Sequence, residues 1–285
     1  MSSSYPAILQ RFCRVIEDLG QVAGAAVIGS RAVEDAGQIP DQAADLDLLV
    51  FTGGPQELLA ANVWLGPLGR IWASTVDRTV PGLPVKRLLL DHSAQVDILI
   101  LPVDAVTRGE PAARAVLAEA ARRGFRSLKE GGPVSDGLRE LAKEGTAAFR
   151  APPSQEEFSQ LVARFWIDSV RASKRLNRGE VWAAKRIIDG AMKDAVVRLE
   201  AWIRKAVKGP EWDTFWDRRH LEEWAGDRFL RDLVVTSGPG TSQGVRQDLF
   251  ETMDQFRLLA IQAGARWSLD YAEAVDRKAT VWVRT

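Results

Sequence analysis

Apolar residues first recur at helical spacing. Ile8, Leu9, Phe12, Val15, Ile16 and Leu19 predict an amphipathic helix over residues 5–18, and the small-residue run 22–28, closing at Gly29, predicts a strand. Four more short apolar runs, 46–51, 70–74, 85–90 and 95–101, read as strands. Residues 91–94 are turn-like, so the last two strands are expected to pair as a hairpin and the sheet to be mixed rather than purely parallel. A helix is expected over 110–123, after which GlyGlyProVal (131–134) and AlaProProSer (151–154) punctuate a connecting region.

Beyond residue 154 the period lengthens and stays long. Phe158, Leu161, Val162, Phe165, Trp166 and Val170 share one helical face. The run from Trp182 to Ile203 repeats the pattern, as does the run from Val245 to Ala263, which is enough for a bundle. The fold class expected is therefore α+β: a mixed β-sheet domain flanked by helices over residues 1–150, and a C-terminal α-helical bundle domain over residues 151–285. Eight of the ten tryptophans fall after residue 150 and are expected to anchor the helical core, with one or two left to line a cleft.

Composition narrows the functional classes. With 46% hydrophobic and 27% charged residues the chain is an ordinary globular one. Lys plus Arg (38) equals Asp plus Glu (38), so global charge gives no argument for nucleic acid or an anionic membrane as partner. No run reaches the roughly 18 apolar residues of a membrane span. A single cysteine, Cys13, and an N-terminus without an export pattern make the cytoplasm the expected compartment. Nothing in the sequence sets an oligomeric state.

Candidate chemistry sits in three acids placed where sheet cores prefer none. Asp45 and Asp47 are two residues apart at the opening of an apolar strand, so they share a face while Leu46 and Leu48 take the other. Adjacent carboxylates call for a cation, and hard oxygen donors suit Mg²⁺ or Mn²⁺. Asp97, between Val96 and Ile98, is a costly acid to bury unpaired. If its strand neighbours that of Asp47, the three acids form one metal-binding face; the plainer alternative is an ion pair with Lys86 or Arg87 across the hairpin. Gly29, Ser30 and Arg31 supply a complement: a glycine that lets backbone approach a ligand, then a hydroxyl, amides and a guanidinium able to hold phosphate oxygens. Metal ligands beside a phosphate cradle point to phosphoryl-type chemistry with pyrophosphate as leaving group.

The order GSR, DLDLLVF, RLLLDHSAQVDILIL resembles the nucleotidyltransferases of DNA polymerase β type, in particular the aminoglycoside 6-adenylyltransferases, or streptomycin adenylyltransferases. FWIDSVRASKRLNRGEVWAAKRIIDGAMKDAVVRLEAW, HLEEWAGDRFLRDLV and DLFETMDQFRLLAIQAGARWSLDY extend the likeness to about residue 283. The resemblance implies transfer of AMP from ATP, with Mg²⁺, to a hydroxyl of an aminoglycoside such as streptomycin. It makes Asp45, Asp47 and Asp97 the metal ligands and Ser30 the nucleotide-phosphate contact. The segment between Ser30 and Asp45 is longer than the family's, and LysGluGlyGly at 129–132 replaces an Asp-Lys-Asp-like turn; both bear on the acceptor pocket.

Two helical-domain residues join the candidates. Lys185 could meet the triphosphate, or be an ordinary surface lysine; Glu180 in the Arg-Gly-Glu turn could meet a cationic sugar, or simply follow a capping glycine. The expected partners are ATP and a small aminoglycoside, with neither membrane nor nucleic acid. Two other readings stand beside this one: the same chemistry on a protein, an RNA or another small alcohol, and a non-catalytic nucleotide-binding module.

Overall fold

The computed structural model describes residues 4–32, 44–79, 82–129, 132–215, 218–235 and 240–285. Residues 33–43, on which the long segment before Asp45 falls, lie outside them, as do Glu130 and Gly131 of the expected turn. The chain divides into two compact units, Met1–Phe149 and Arg150–Thr285.

In the first unit, helix α1 (Tyr5–Asp18) leads into β1 (Val22–Ile28), a 3₁₀ turn (Gly29–Ala32) and β2 (Leu46–Thr52). Helix α2 (Pro55–Ala60) and a 3₁₀ segment (Val63–Leu68) precede β3 (Ile71–Arg78), β4 (Pro84–Leu90) and β5 (Gln95–Pro102). Helices α3 (Ala105–Arg108) and α4 (Pro111–Arg122), strand β6 (Phe125–Lys129) and helix α5 (Pro133–Arg150) complete it. The strands form one mixed sheet in the order β3-β4-β5-β2-β1-β6, in which β2 and β5 pair in parallel and the other neighbours are antiparallel.

Strand alternation sends residues to two cores. Leu46, Leu48 and Val50 of β2 join Val96, Ile98 and Ile100 of β5 and the α1 residues Ile8, Phe12 and Ile16 on one side. Leu49 and Phe51 join Leu99 and Leu101 on the other, under Val106, Leu117, Leu138 and Leu141 from α3, α4 and α5. On that second face, toward the start of β2, lie Asp47 and Asp97.

Several elements depart from expectation. The stretch 133–150, read as part of a connecting region, is helix α5, entered at Pro133 and packed through Val134, Leu138 and Leu141. Strand β6 has no counterpart among the expected strands, and β3 runs four residues past the expected 70–74 because it is an edge strand exposed on both faces, without the alternation that marks a half-buried one.

In the second unit, α6 (Gln155–Asn177) opens with a capping box, in which the Ser154 side chain and Glu157 satisfy each other's backbone amides. Helix α7 (Val181–Ile187) passes through a π-helical turn (Ile188–Met192) into α8 (Lys193–Lys208). Short α9 (Leu221–Trp224), α10 (Asp227–Val235), long α11 (Ser242–Trp267) and α12 (Glu273–Arg284) follow. Phe165 of α6 stacks on Phe256 of α11 at 3.6 Å between centroids, and Trp166 meets the edge of that pair. Trp166 and Trp224 are the fully buried tryptophans among the described residues; Trp182 stands 73% exposed, so the tryptophans anchor the core less generally than expected.

Candidate active site

Parallel pairing of β2 with β5 sets Asp47 directly opposite Asp97, and antiparallel pairing of β4 with β5 sets Arg87 opposite Asp97. Paired residues in neighbouring strands share a face, so Arg87, Asp97 and Asp47 form a row across three strands. In β1 the residue opposite Asp47 is Ile28, after which the chain turns at Gly29. Asp45 lies two residues before Asp47, just ahead of β2, close enough to add its repulsion to Asp97. All three acids are partly buried. Burial, foremost, pushes the Asp97 carboxyl above the usual range; Arg87 pulls it back and Asp45 pushes it further up.

Gly29 holds φ at +73°, and a Cβ built on it would come within 2.9 Å of Asp47 Oδ2. The backbone therefore passes so close to the carboxylate that a side chain at this position would both strain the torsion and push Asp47 aside. Ser30 follows, partly buried in the 3₁₀ turn. Arg31, expected to reach phosphate oxygens, has other employment. Its side chain is buried, its Nε donates to the carbonyls of Ala44 (3.0 Å) and Asp45 (3.2 Å), and its Nη2 donates to Ala44 at 2.5 Å. The guanidinium lies on the ring of Tyr5. Arg31 thus ties the turn after β1 to the residues just before Asp47.

Of the two partners considered for Asp97, Arg87 is the one the structure gives it: Nη1 donates to Asp97 Oδ2, while Nε donates to Asp77 Oδ2 at 3.3 Å. Lys86 points to the opposite side, buried, with Nζ donating to the Leu59 carbonyl at 2.6 Å. Among the described residues no three His, Cys, Asp or Glu side chains are gathered closely enough to grip one ion. The register thus aligns Asp47 and Asp97, while the carboxylates are not converged as the sequence suggested, because Asp97 is turned to Arg87. By donor chemistry the set still fits a hard divalent cation: oxygen ligands only, two on neighbouring strands and a third two residues away.

In the helical unit, Lys185 of α7 lies in a charged quartet around the π turn. Its Nζ meets Asp189 Oδ2 at 2.9 Å and Asp248 Oδ2 at 3.6 Å, while Lys193 Nζ meets the other oxygens of the same two acids at 2.6 and 3.4 Å. The hydrogen bond that Lys185 donates to Asp189, foremost, raises Lys185 above the ordinary lysine range, against the effect of burial, so it is a fixed cation. Burial pushes Asp248 up despite the pull of Lys193; it would push Asp189 up too, but the hydrogen bonds from Lys193 and Lys185 win and hold Asp189 low. Three of the four, Lys185, Asp189 and Lys193, border a cavity of about 370 Å³ lined also by Asp194, Arg218 and Leu221. Asp248 and Lys193 were not among the sequence candidates, although an acid between Val245 and Leu249 on an apolar stripe was a readable signal. Glu180 is ion-paired with Arg175 and opens α7 as its N-cap residue.

Residues 137–285, just over half of the chain, match the sequence profile of the streptomycin adenylyltransferase family. The matched span covers the helical unit and most of α5 but not the strands bearing the three acids. No curated protein matches the chain. Among solved structures, an aminoglycoside 6-adenyltransferase from Bacillus subtilis is similar at 14% identity and a TM-score of 0.45, over 99% of this chain and 97% of the other. A nucleotidyltransferase-like protein from Exiguobacterium sibiricum 255-15 is similar at 15% identity and a TM-score of 0.37, over 92% and 76%. At these scores neither likeness bears on function.

Proposed function

The chain belongs to the streptomycin adenylyltransferase family and is by that membership a nucleotidyltransferase; on this premise we propose that it moves AMP from ATP to a hydroxyl of an aminoglycoside, streptomycin being the first to test. The acceptor oxygen bonds to the α-phosphorus, the bond from that phosphorus to the bridging oxygen breaks, pyrophosphate departs and the hydroxyl proton is released. The observation that carries this reading for the strand-bearing unit is the register of β2 with β5, which sets Asp47 beside Asp97 a turn away from Gly29 and Ser30.

Asp45, Asp47 and Asp97 would hold Mg²⁺ or Mn²⁺. Bound there, the ion supplies Lewis-acid polarisation of the α-phosphate and charge compensation for pyrophosphate. The chain's own contribution is placement. Gly29 brings backbone against Asp47, the Ser30 hydroxyl and neighbouring amides offer donors to phosphate oxygens, and Arg31 fixes the strand entry from behind. Lys185, a fixed cation, is the helical unit's candidate for the triphosphate, and Glu180 remains a candidate for a cationic sugar. ATP as donor suits a cytoplasmic enzyme, and no helix among the described residues is long and apolar enough to cross a membrane.

The test is incubation of the pure protein with Mg²⁺, ATP labelled on the α-phosphate and a panel of aminoglycosides, reading pyrophosphate and label transfer. Labelled streptomycin supports the proposal. Label appearing only on RNA or protein, or ATP binding without turnover on any acceptor, overturns it.

A further inference from the structure

Arg87 of β4 bridges two carboxylates on the strands that flank its own, Asp97 of β5 and Asp77 of β3. One of them, Asp97, is the acid proposed above to hold a divalent ion. A guanidinium and a divalent cation cannot both occupy the same face of one carboxylate, so Asp97 has two suitors of like charge. The exposures rank the partners by freedom to move. Asp97 keeps 17% of its side chain open, Arg87 43% and Asp77 59%. Arg87 can therefore leave Asp97 without opening the core, and its second partner lies on the solvent side.

We propose that Arg87 is a positioning residue that competes with the divalent cation for Asp97, holding the carboxylate in place until the ion displaces it, with Asp77 as the acid to which the guanidinium withdraws. This rests on the reading of Asp45, Asp47 and Asp97 as ion ligands. It assigns Arg87 a role in setting how tightly the ion is held, separate from any contact with ATP or acceptor. Neighbouring Lys86 cannot share that role, because its ammonium is buried on the other side of the sheet against Leu59.

The experiment measures Mn²⁺ binding to the whole chain without ATP, from the electron paramagnetic resonance signal of the free ion, at constant pH and ionic strength. Arg87→Met should bind Mn²⁺ about tenfold more tightly, in keeping with loss of one adjacent unit charge. Asp77→Asn, at an exposed position where folding is not at stake, should weaken binding by about two- to threefold, because the guanidinium then has Asp97 alone. Asp97→Asn should lose most of the binding. A gain in affinity is not something structural damage produces. If Asp97→Asn loses binding while neither Arg87→Met nor Asp77→Asn differs from the parent, the competition is refuted and the ligand assignment stands. If the parent binds no Mn²⁺, or Asp97→Asn binds as well as the parent, the ligand assignment falls and the competition with it. Should Arg87→Met not fold, the Asp77→Asn result decides alone.

Discussion

The Arg31 guanidinium lies over the ring of Tyr5, 3.6 Å from its centroid, while its nitrogens donate to the carbonyls of Ala44 and Asp45. A side chain expected to meet phosphate is instead a staple between helix α1, the turn after β1 and the entrance to β2. Arg31→Ala would take the guanidinium donors from the Ala44 and Asp45 carbonyls and remove the stacking cation, at a cost of about 3 kcal/mol. The expected outcome is a lowered midpoint in urea together with reduced turnover. Normal stability with only a raised KM for ATP would return Arg31 to the phosphate role.

Gly29 offers a sharper probe of the Asp47 environment. Gly29→Ala puts a methyl 2.9 Å from Asp47 Oδ2 at a φ of +73°, and should cost about 1–2 kcal/mol while shifting the carboxylate. Gly20→Ala, with nothing within 4 Å of its Cβ position, should leave both stability and turnover near the parent values. Thermal melts and initial rates on the two variants make the comparison; equal behaviour would mean the close approach is unimportant.

Asp47→Asn preserves size and hydrogen-bonding capacity while removing a charge from the proposed ligand set. Transfer of AMP should fall on the order of a hundred- to a thousandfold with an unchanged circular dichroism spectrum. Turnover within a few-fold of the parent would sink the assignment of Asp47.

For Lys185, the measurement is the split between KM and kcat. If its ammonium meets the triphosphate, Lys185→Met should raise KM for ATP about tenfold with little change in kcat, and Lys185→Arg should recover most of it. If it serves only the Asp189 and Asp248 pairs, stability will move and KM will not.

Acid sensitivity of the helical unit follows from Asp276. Burial works to raise its pKa, but two hydrogen bonds of 2.7 Å from Arg257, with others from Thr280 and Tyr271, lower it beneath the ordinary 3.8. A depressed carboxylate stabilises the fold above the unfolded value and loses that contribution as pH falls through the folded one. Asp276→Asn should therefore cost about 2–3 kcal/mol near neutrality, and less and less as pH drops below about 4. Melts of both proteins across that range should converge; parallel curves would contradict the ion-pair account.

Much of this architecture was readable from period alone. The first helix, the central strands and the hairpin turn at 91–94 are visible because one-sided burial writes alternation or helical spacing into the chain. Val134, Leu138 and Leu141 carry the period of helix α5, but the glycines and prolines at both its ends read as the punctuation of a loop. The π turn at Ile188–Met192 is invisible to a search for 3.6-residue spacing, since it shifts the face within an otherwise continuous run. At the site, the alignment of Asp47 with Asp97 was foreseeable as a condition on strand order. What could not be seen was how cations are allotted: Arg31 to carbonyls and Tyr5, Arg87 to Asp97, and Lys86 to the far side, because each choice depends on contacts distant in the chain.

The parallel pairing of β2 with β5 also bears on how the enzyme assembles. A parallel neighbour cannot be supplied by a tight hairpin, so β2 must wait for the chain to travel through β3 and β4 before β5 arrives beside it. Helices and the β4–β5 ribbon can form early, but the row of acids exists only once that long loop has closed. Recovery of catalytic competence after dilution from denaturant should accordingly lag behind the return of helical ellipticity.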